Sequence, residues 1–342
     1  MKHKVNKISR DQIDISLALQ GGGAHGAISW GVLERILEQD NINIQAISAT
    51  SSGAMIAAIV VSALSQENGR NEAIKNLDKF WHEISNMSNI SPLQPNFFEK
   101  MVNLGTMAVA PMFQASDWFK HIFAPYQFNF FDVYPFNNIL NDFIDYSVIK
   151  KSNIKLLINA SNVKSGEAKI FSNRDLSDSK RLIASACSPY LIQSIKIGDE
   201  SYWDGCFSGN PMLSPLIDFT ETEDIIVIRV LPIMSDDMPR TIPDIIDRAD
   251  EISTNRILLN EVKMIQVINN LILNKKLKTD KYRVVRMHNV ATDDIISAHS
   301  RSSKMNAELD FLLYLKAIGR QAADDWIKRN LEKVGYESTW KL

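Results

Sequence analysis

The order of hydrophobic and polar positions changes its period several times along the chain, and each change marks an element. Residues 13–19, Ile-Asp-Ile-Ser-Leu-Ala-Leu, form a short apolar run of strand character that stops at Gln20 and three glycines. Over 27–39 the apolar residues Ile28, Val32, Leu33, Ile36 and Leu37 recur at helical spacing, with Glu34, Arg35 and Glu38 between them, which predicts an amphipathic helix. Residues 44–48 read as a second buried strand, 49–53 as a turn, and 54–64 as a long apolar helix. Strand, loop, helix, strand, turn, helix is the opening of a parallel α/β sheet.

Between about 80 and 146 no period persists, and Phe, Tyr and Trp interleave with Met and Pro; this stretch reads as an inserted helical and irregular region. Strand patterns return at 155–163 and 168–171, a helix is predicted at 179–187, and further strands at 195–197 and 225–231. A long helical stretch covers 243–273, a strand 282–287, and a last amphipathic helix 305–331. No internal repeat or low-complexity linker interrupts them.

Composition narrows the chemistry. The 342 residues carry 38 Lys+Arg against 40 Asp+Glu, a net charge of −2, so the basic excess that nucleic-acid binding is built from is missing. With 45% hydrophobic and 23% charged residues, the chain is of ordinary globular type. Two cysteines, Cys187 and Cys206, exclude a disulfide framework and a four-thiolate zinc site within the chain. The basic segment 1–14 lacks the apolar stretch of a secretory signal, and the longest apolar run, 55–64, is too short to span a bilayer. The expectation is a soluble, cytoplasmic chain; peripheral membrane contact and specialised export are compatible with it.

Two segments carry candidate chemistry. Gly21-Gly22-Gly23-Ala24-His25-Gly26 satisfies the G-x-G-x-x-G spacing of dinucleotide loops, after a strand and before a helix. A nucleotide site further requires a carboxylate near the end of the second strand, where this chain has Ile47-Ser48-Ala49-Thr50-Ser51. Ala49-Thr50-Ser51-Ser52-Gly53 is instead a variant of the nucleophile elbow G-x-S-x-G, in which small neighbours let a serine sit on a strained turn at a helix N-terminus. The glycine loop then acquires another use, because its N–H groups suit a developing oxyanion.

With Tyr202-Trp203-Asp204-Gly205 and Gly209-Asn210-Pro211 downstream, the arrangement resembles the patatin-like phospholipase family in its bacterial form, from the first strand to about Pro215. The resemblance implies a three-layer α/β fold with a central, mostly parallel sheet flanked by helices, plus the inserted region. It places a catalytic domain at 10–290 and a C-terminal helical segment at 291–342. It implies a lipid acyl hydrolase acting on a phospholipid or other acyl-ester lipid without a cofactor or metal. Ser51 would be the nucleophile and Asp204, on a loop after a strand, its base; Gly22 and Gly23 would be the oxyanion donors, with Gly21 and Gly26 shaping the loop. Ala49 stands where the family usually has Gly, His25 where it usually has Arg or Lys, and Cys206 where Gly or Ala is usual.

Each site has a plainer reading. Ser51 could be a helix N-cap, and Asp204-Gly205 an ordinary turn. His25 is expected to pack or hydrogen-bond rather than carry a proton. The aromatic stretch 80–136 is either core or, in part, an acyl groove or cap over the serine. Lys275, Lys276, Lys278 and Lys281 read by default as a solvated turn, the alternative being contact with anionic lipid headgroups. The rival functions are a catalytically silent lipid-binding or regulatory protein of the same fold, and a nucleotide-binding oxidoreductase resting only on glycine spacing.

Overall fold

The computed structural model describes residues 12–89, 134–189, 191–235, 238–277, 282–296 and 301–342. Its strands are β1 (Ile13–Leu19), β2 (Ile42–Thr50), β3 (Lys155–Asn162), β4 (Ala168–Ser172), β5 (Ile195–Ile197), β6 (Glu200–Asp204), β7 (Asp224–Ile228) and β8 (Arg286–Val290). They form one sheet in the order β5-β6-β3-β2-β1-β7-β8, with β4 also paired to β3. The pairs joining β3, β2, β1, β7 and β8 are parallel, and β4, β5 and β6 form an antiparallel margin.

Helices cover both faces. They are α1 (Gly26–Leu37), α2 (Ser52–Leu64), α3 (Gly69–Asn89), α4 (Tyr134–Phe143), α5 (Tyr146–Lys151), α6 (Lys180–Ser185), α7 (Ser214–Phe219), α8 (Ile242–Leu273), α9 (Asp293–Ile296) and α10 (Leu309–Asn330). Alternation along the strands sorts the core into two layers. Leu17, Leu19, Ile47 and Ile158 pack with α1, α2, α3 and α10 on one side. Ala18, Ala46, Leu157 and Val227 pack with Leu216 of α7 and with Leu258 and Val262 of α8 on the other. The outcome is the expected three-layer α/β fold with a mostly parallel sheet.

α1, which begins at the glycine loop, is clamped by α10. A Cβ added at Gly31 would lie 2.0 Å from the Lys316 carbonyl oxygen, and one at Gly319 would lie 2.0 Å from that of Ile28, so the two backbones meet with no side chain between. The buried Glu34 carboxylate accepts 2.7 Å bonds from Lys316 and Arg320 of α10 and a 3.0 Å bond from Trp30 Nε1. Unpaired, that carboxylate would be costly to bury; here the Lys316 and Arg320 contacts tie one helix to the other, and Trp30 holds the carboxylate from within α1.

Three expectations need correction. The last predicted strand, 282–287, is observed at Arg286–Val290, where its backbone pairs with β7; Val285 is buried before the ladder begins. The aromatic region does not start a new structure at 80, because Phe80 and Trp81 belong to α3, which begins at Gly69, and Trp81 stacks on Trp30 at 6.3 Å in the core. Asp204 is the last residue of β6 rather than part of a following loop. The remainder of the predicted inserted region, 90–133, lies outside the described residues.

Candidate active site

One edge of β3 explains why residues 153 positions apart meet. β4 occupies the other edge over 157–161, so β2 and β6 share this one in succession. Thr50, the end of β2, is opposite Asn159, and Asp204, the end of β6, is opposite the next residue, Ala160. The two strands run head to head, and Ser51 and Asp204 face each other across the gap. Ser51 Oγ donates a 2.9 Å hydrogen bond to Asp204 Oδ2.

Ser51 holds φ 57° and ψ −128°, a backbone conformation that L residues adopt only under constraint, at a cost of about 1–3 kcal/mol. Its N–H donates to Ser185 Oγ at 2.9 Å, and its carbonyl accepts from Ala54 N at 2.9 Å, opening α2. The hydroxyl does not cap the helix; it is directed to the carboxylate. The positive end of α2 therefore lies at the serine.

Asp204 is buried, and its second oxygen accepts the Cys206 N–H at 2.9 Å. Burial pushes its pKa above the ordinary carboxylate value of 3.8, with the Cys206 and Ser51 hydrogen bonds opposing in part. The Cys206 thiol is itself pushed well up by burial and by the Asp204 charge. The segment after Asp204 is seated on polar side chains of otherwise apolar strands. Ser48 Oγ donates to the Met212 carbonyl at 2.6 Å and Thr50 Oγ1 to that of Gly209 at 3.0 Å. Asn159 Nδ2 reaches the Gly205 and Gly209 carbonyls, and Ser161 Oγ that of Asp204. These hydroxyls and amides, at alternate positions of β2 and β3, share the same face of the sheet.

The glycine loop is brought to the same place. A Cβ at Gly21 would lie 2.5 Å from both Ser51 Cβ and the Thr50 carbonyl oxygen, so only glycine lets the loop touch the elbow. Gly21 N–H donates to Asn210 Oδ1 at 2.6 Å, and Asn210 Nδ2 returns a 3.0 Å bond to the Gly21 carbonyl. Gln20, just before the loop, accepts from Val230 and Leu231 N–H and donates to the Asn210 carbonyl and to Asn255 Oδ1. Gly22 N–H is 3.1 Å from Ser52 Oγ, so this expected donor is engaged by the neighbouring serine. Gly23 has φ 61°, and its N–H meets no acceptor among the described residues. A Cβ there would strike the Lys304 carbonyl oxygen at 2.5 Å, and one at Gly26 would lie 2.8 Å from Ser52 Oγ. His25 is buried and pairs its Nε2 with Ser303 Oγ at 2.8 Å.

The structure thus brings Ser51, Asp204, Gly21, Gly22 and Gly26 into one contiguous group, and Gly23 lies between Gly22 and Gly26 in the same loop, packed against Lys304. Sequence reasoning missed the positioning side chains Gln20, Ser52, Asn159 and Ser185, and it quoted Asn210 without a role. A polar residue directly after a run of apolar ones was the signal that could have found Gln20 and Asn159.

The class defined by this fold and site is a mixed α/β protein with a serine on a strained strand-to-helix turn, hydrogen-bonded to a buried carboxylate beside a glycine loop. The chain belongs to the patatin-like phospholipase family, a family of lipid acyl hydrolases, whose model matches residues 17–217. Among solved structures it is similar to VipD from Legionella pneumophila, at 13% identity over 90% of this chain and 67% of that one, with a TM-score of 0.36. It is also similar to the type III effector protein ExoU, at 13% identity, 92% of this chain, 52% of that chain and a TM-score of 0.35. The chain spans about half the length of ExoU. A search of curated proteins finds no match.

Proposed function

We propose that the chain is a carboxylic ester hydrolase of lipids in which Ser51 is the nucleophile and Asp204 the base. The observation that carries this reading is the 2.9 Å hydrogen bond from Ser51 Oγ to Asp204 Oδ2 in a buried setting. Asp204 Oδ2 takes the hydroxyl proton as Ser51 Oγ attacks the ester carbonyl carbon. The resulting oxyanion is met by the Gly23 N–H and the positive end of α2, with the Gly22 N–H released from Ser52 Oγ to join them. Collapse expels the alcohol, which receives the proton from Asp204, and leaves an acyl-serine. Asp204 then deprotonates water, the acyl group departs as the fatty acid, and Ser51 regains its proton.

An ordinary aspartate is a weak base for a hydroxyl, so the reaction depends on the burial that raises the Asp204 pKa and excludes competing water. His25, bonded to Ser303, takes no part. The substrate is a phospholipid or another acylglycerol, in keeping with the family.

Turnover of a short-chain p-nitrophenyl ester by Ser51→Ala and Asp204→Asn tests the dyad. Each variant is expected to lose roughly a thousandfold or more in kcat. Turnover undiminished in either would refute the assignment. Loss in neither, together with no activity in the parent, would favour a silent lipid-binding protein of the same fold.

A further inference from the structure

α8 is apolar on two opposite faces, and among the described residues only one of them is packed. Leu258, Val262, Ile265 and Ile272 are buried on its inner side. At ~100° per residue, Ile242, Ile245, Ile252, Met264, Val267 and Leu271 fall within roughly a third of the circumference on the other side. These six are between 37% and 72% exposed. A helix that faces water normally carries polar residues there. The loop entering α8 extends the same character with the exposed Met234 and Met238.

The charges on this face have one sign. Within the arc the sequence places Arg256 and Lys263, both exposed, and no Asp or Glu; Lys275 and Lys276 follow, exposed, past the end of the helix. Three acidic side chains of α8 are used elsewhere. Glu251 pairs with Lys304, Glu261 accepts the Leu213 and Ser214 N–H groups, and Asp244 closes the capping box with Thr241. Because the whole chain has a net charge of −2, a carboxylate-free apolar and basic face is a local segregation rather than a reflection of composition.

We propose that the outer face of α8 docks the protein on an anionic lipid bilayer. Its aliphatic side chains enter the headgroup boundary while Arg256 and Lys263 meet lipid phosphates and carboxylates. The proposal rests on the lipid hydrolase reading and gives it a location. Asn255, on the buried side of α8, accepts a 3.0 Å hydrogen bond from Gln20 at the root of the glycine loop. A bilayer under α8 therefore lies one helix thickness from the catalytic loop. A second copy of the chain is the weaker occupant, since a two-fold contact would set the same cations against each other with no carboxylate to neutralise them.

The test uses the full chain carrying Ser51→Ala, so that vesicles stay intact, and sedimentation with phosphatidylcholine vesicles with or without about a third phosphatidylserine. The parent is expected to partition onto the anionic vesicles and hardly onto the neutral ones. Ile245→Asp with Ile252→Asp, and separately Arg256→Glu with Lys263→Glu, should each lower that partitioning about tenfold or more. With Ser51 restored, both pairs should keep turnover of a soluble short-chain ester within about twofold, because neither touches the site. Absent binding by the parent, or undiminished binding by both pairs, overturns the proposal. So does a parent that is dimeric in solution and becomes monomeric with the aspartate pair. Charge-dependent vesicle binding by the Ser51→Ala chain, together with no esterase activity once Ser51 is restored, would support the surface and refute the catalytic reading instead.

Discussion

At Ser51 the backbone and the side chain serve one end. The left-handed φ turns the chain sharply out of β2, and that turn aims Oγ at Asp204 while α2 starts behind it. Asp204 in turn is an acid whose neutral form the fold favours, since burial raises its pKa above 3.8. Catalysis needs the carboxylate, so kcat/KM should fall as pH drops through the raised pKa, with an acid limb lying above pH 3.8 in the pH–rate profile of a soluble ester. A group with a raised carboxyl pKa is destabilising once ionised, at pH above its folded value. Asp204→Asn should therefore melt no lower than the wild type at pH 7 while losing activity. A profile flat down to pH 4, or a clearly lower Tm, would contradict this. Ser51 was legible in the sequence through a short motif of small residues whose spacing encodes a turn, and Asp204 through the family resemblance carried by Tyr202-Trp203-Asp204-Gly205. Gln20, Ser52 and Ser185 were not, because their partners lie 30 to 211 positions away and their side chains look like any buried polar group.

Between elements, the site is held by two clasps. Asn210 hydrogen-bonds Gly21 in both directions, and Gln20 joins the ends of β1 and β7 to α8. Asn210→Ala leaves a buried N–H and a buried carbonyl without partners. It should cost about 3 kcal/mol of stability and lower kcat/KM at least about tenfold through the displaced loop. Chemical denaturation and ester kinetics check both, and an unchanged kcat/KM would show that the loop needs no such support. Elements with a clean period, such as α1, α8 and β1, were readable from hydrophobic spacing alone. α3 was not singled out, because Phe80 and Trp81 resemble the aromatic stretch that follows them, although they pack into the core. The shift of β8 to Arg286–Val290 has a physical basis in its partners. Arg286 and His288 are polar residues that belong in the sheet because both bond Asp224 on β7, a contact invisible to a reading of hydrophobicity.

For the molecule as a whole, Asp224 ties the chain's last turn to the sheet. It accepts from Arg286, from His288 at 3.0 Å and from the Gly335 N–H at 2.8 Å, while His288 Nδ1 meets Thr339 Oγ1 at 2.9 Å. Burial alone would raise its pKa, but these partners outweigh it and hold the carboxyl at about 2, below the usual 3.8. The stabilisation is complete above the unfolded pKa of 3.8 and is lost as pH falls toward about 2, so Tm should drop steeply across that window. Asp224→Asn should melt lower at pH 7 and show a shallower loss below pH 4; parallel curves for the two proteins would contradict the assignment. The three layers were legible from the alternation of strand and helix patterns. The head-to-head meeting of β2 and β6 on β3 was not, because strand order and register arise only when distant segments pair. In the proposed reaction this meeting activates Ser51, and reactivity toward a serine-directed probe reads that activation. Its most direct measurement is the intact mass and peptide map of the protein after reaction with a fluorophosphonate probe. A single adduct on Ser51 is expected, absent in Ser51→Ala and strongly slowed in Asp204→Asn; an unlabelled wild type, or equal labelling of Ser51 without Asp204, would show that Asp204 does not activate the serine.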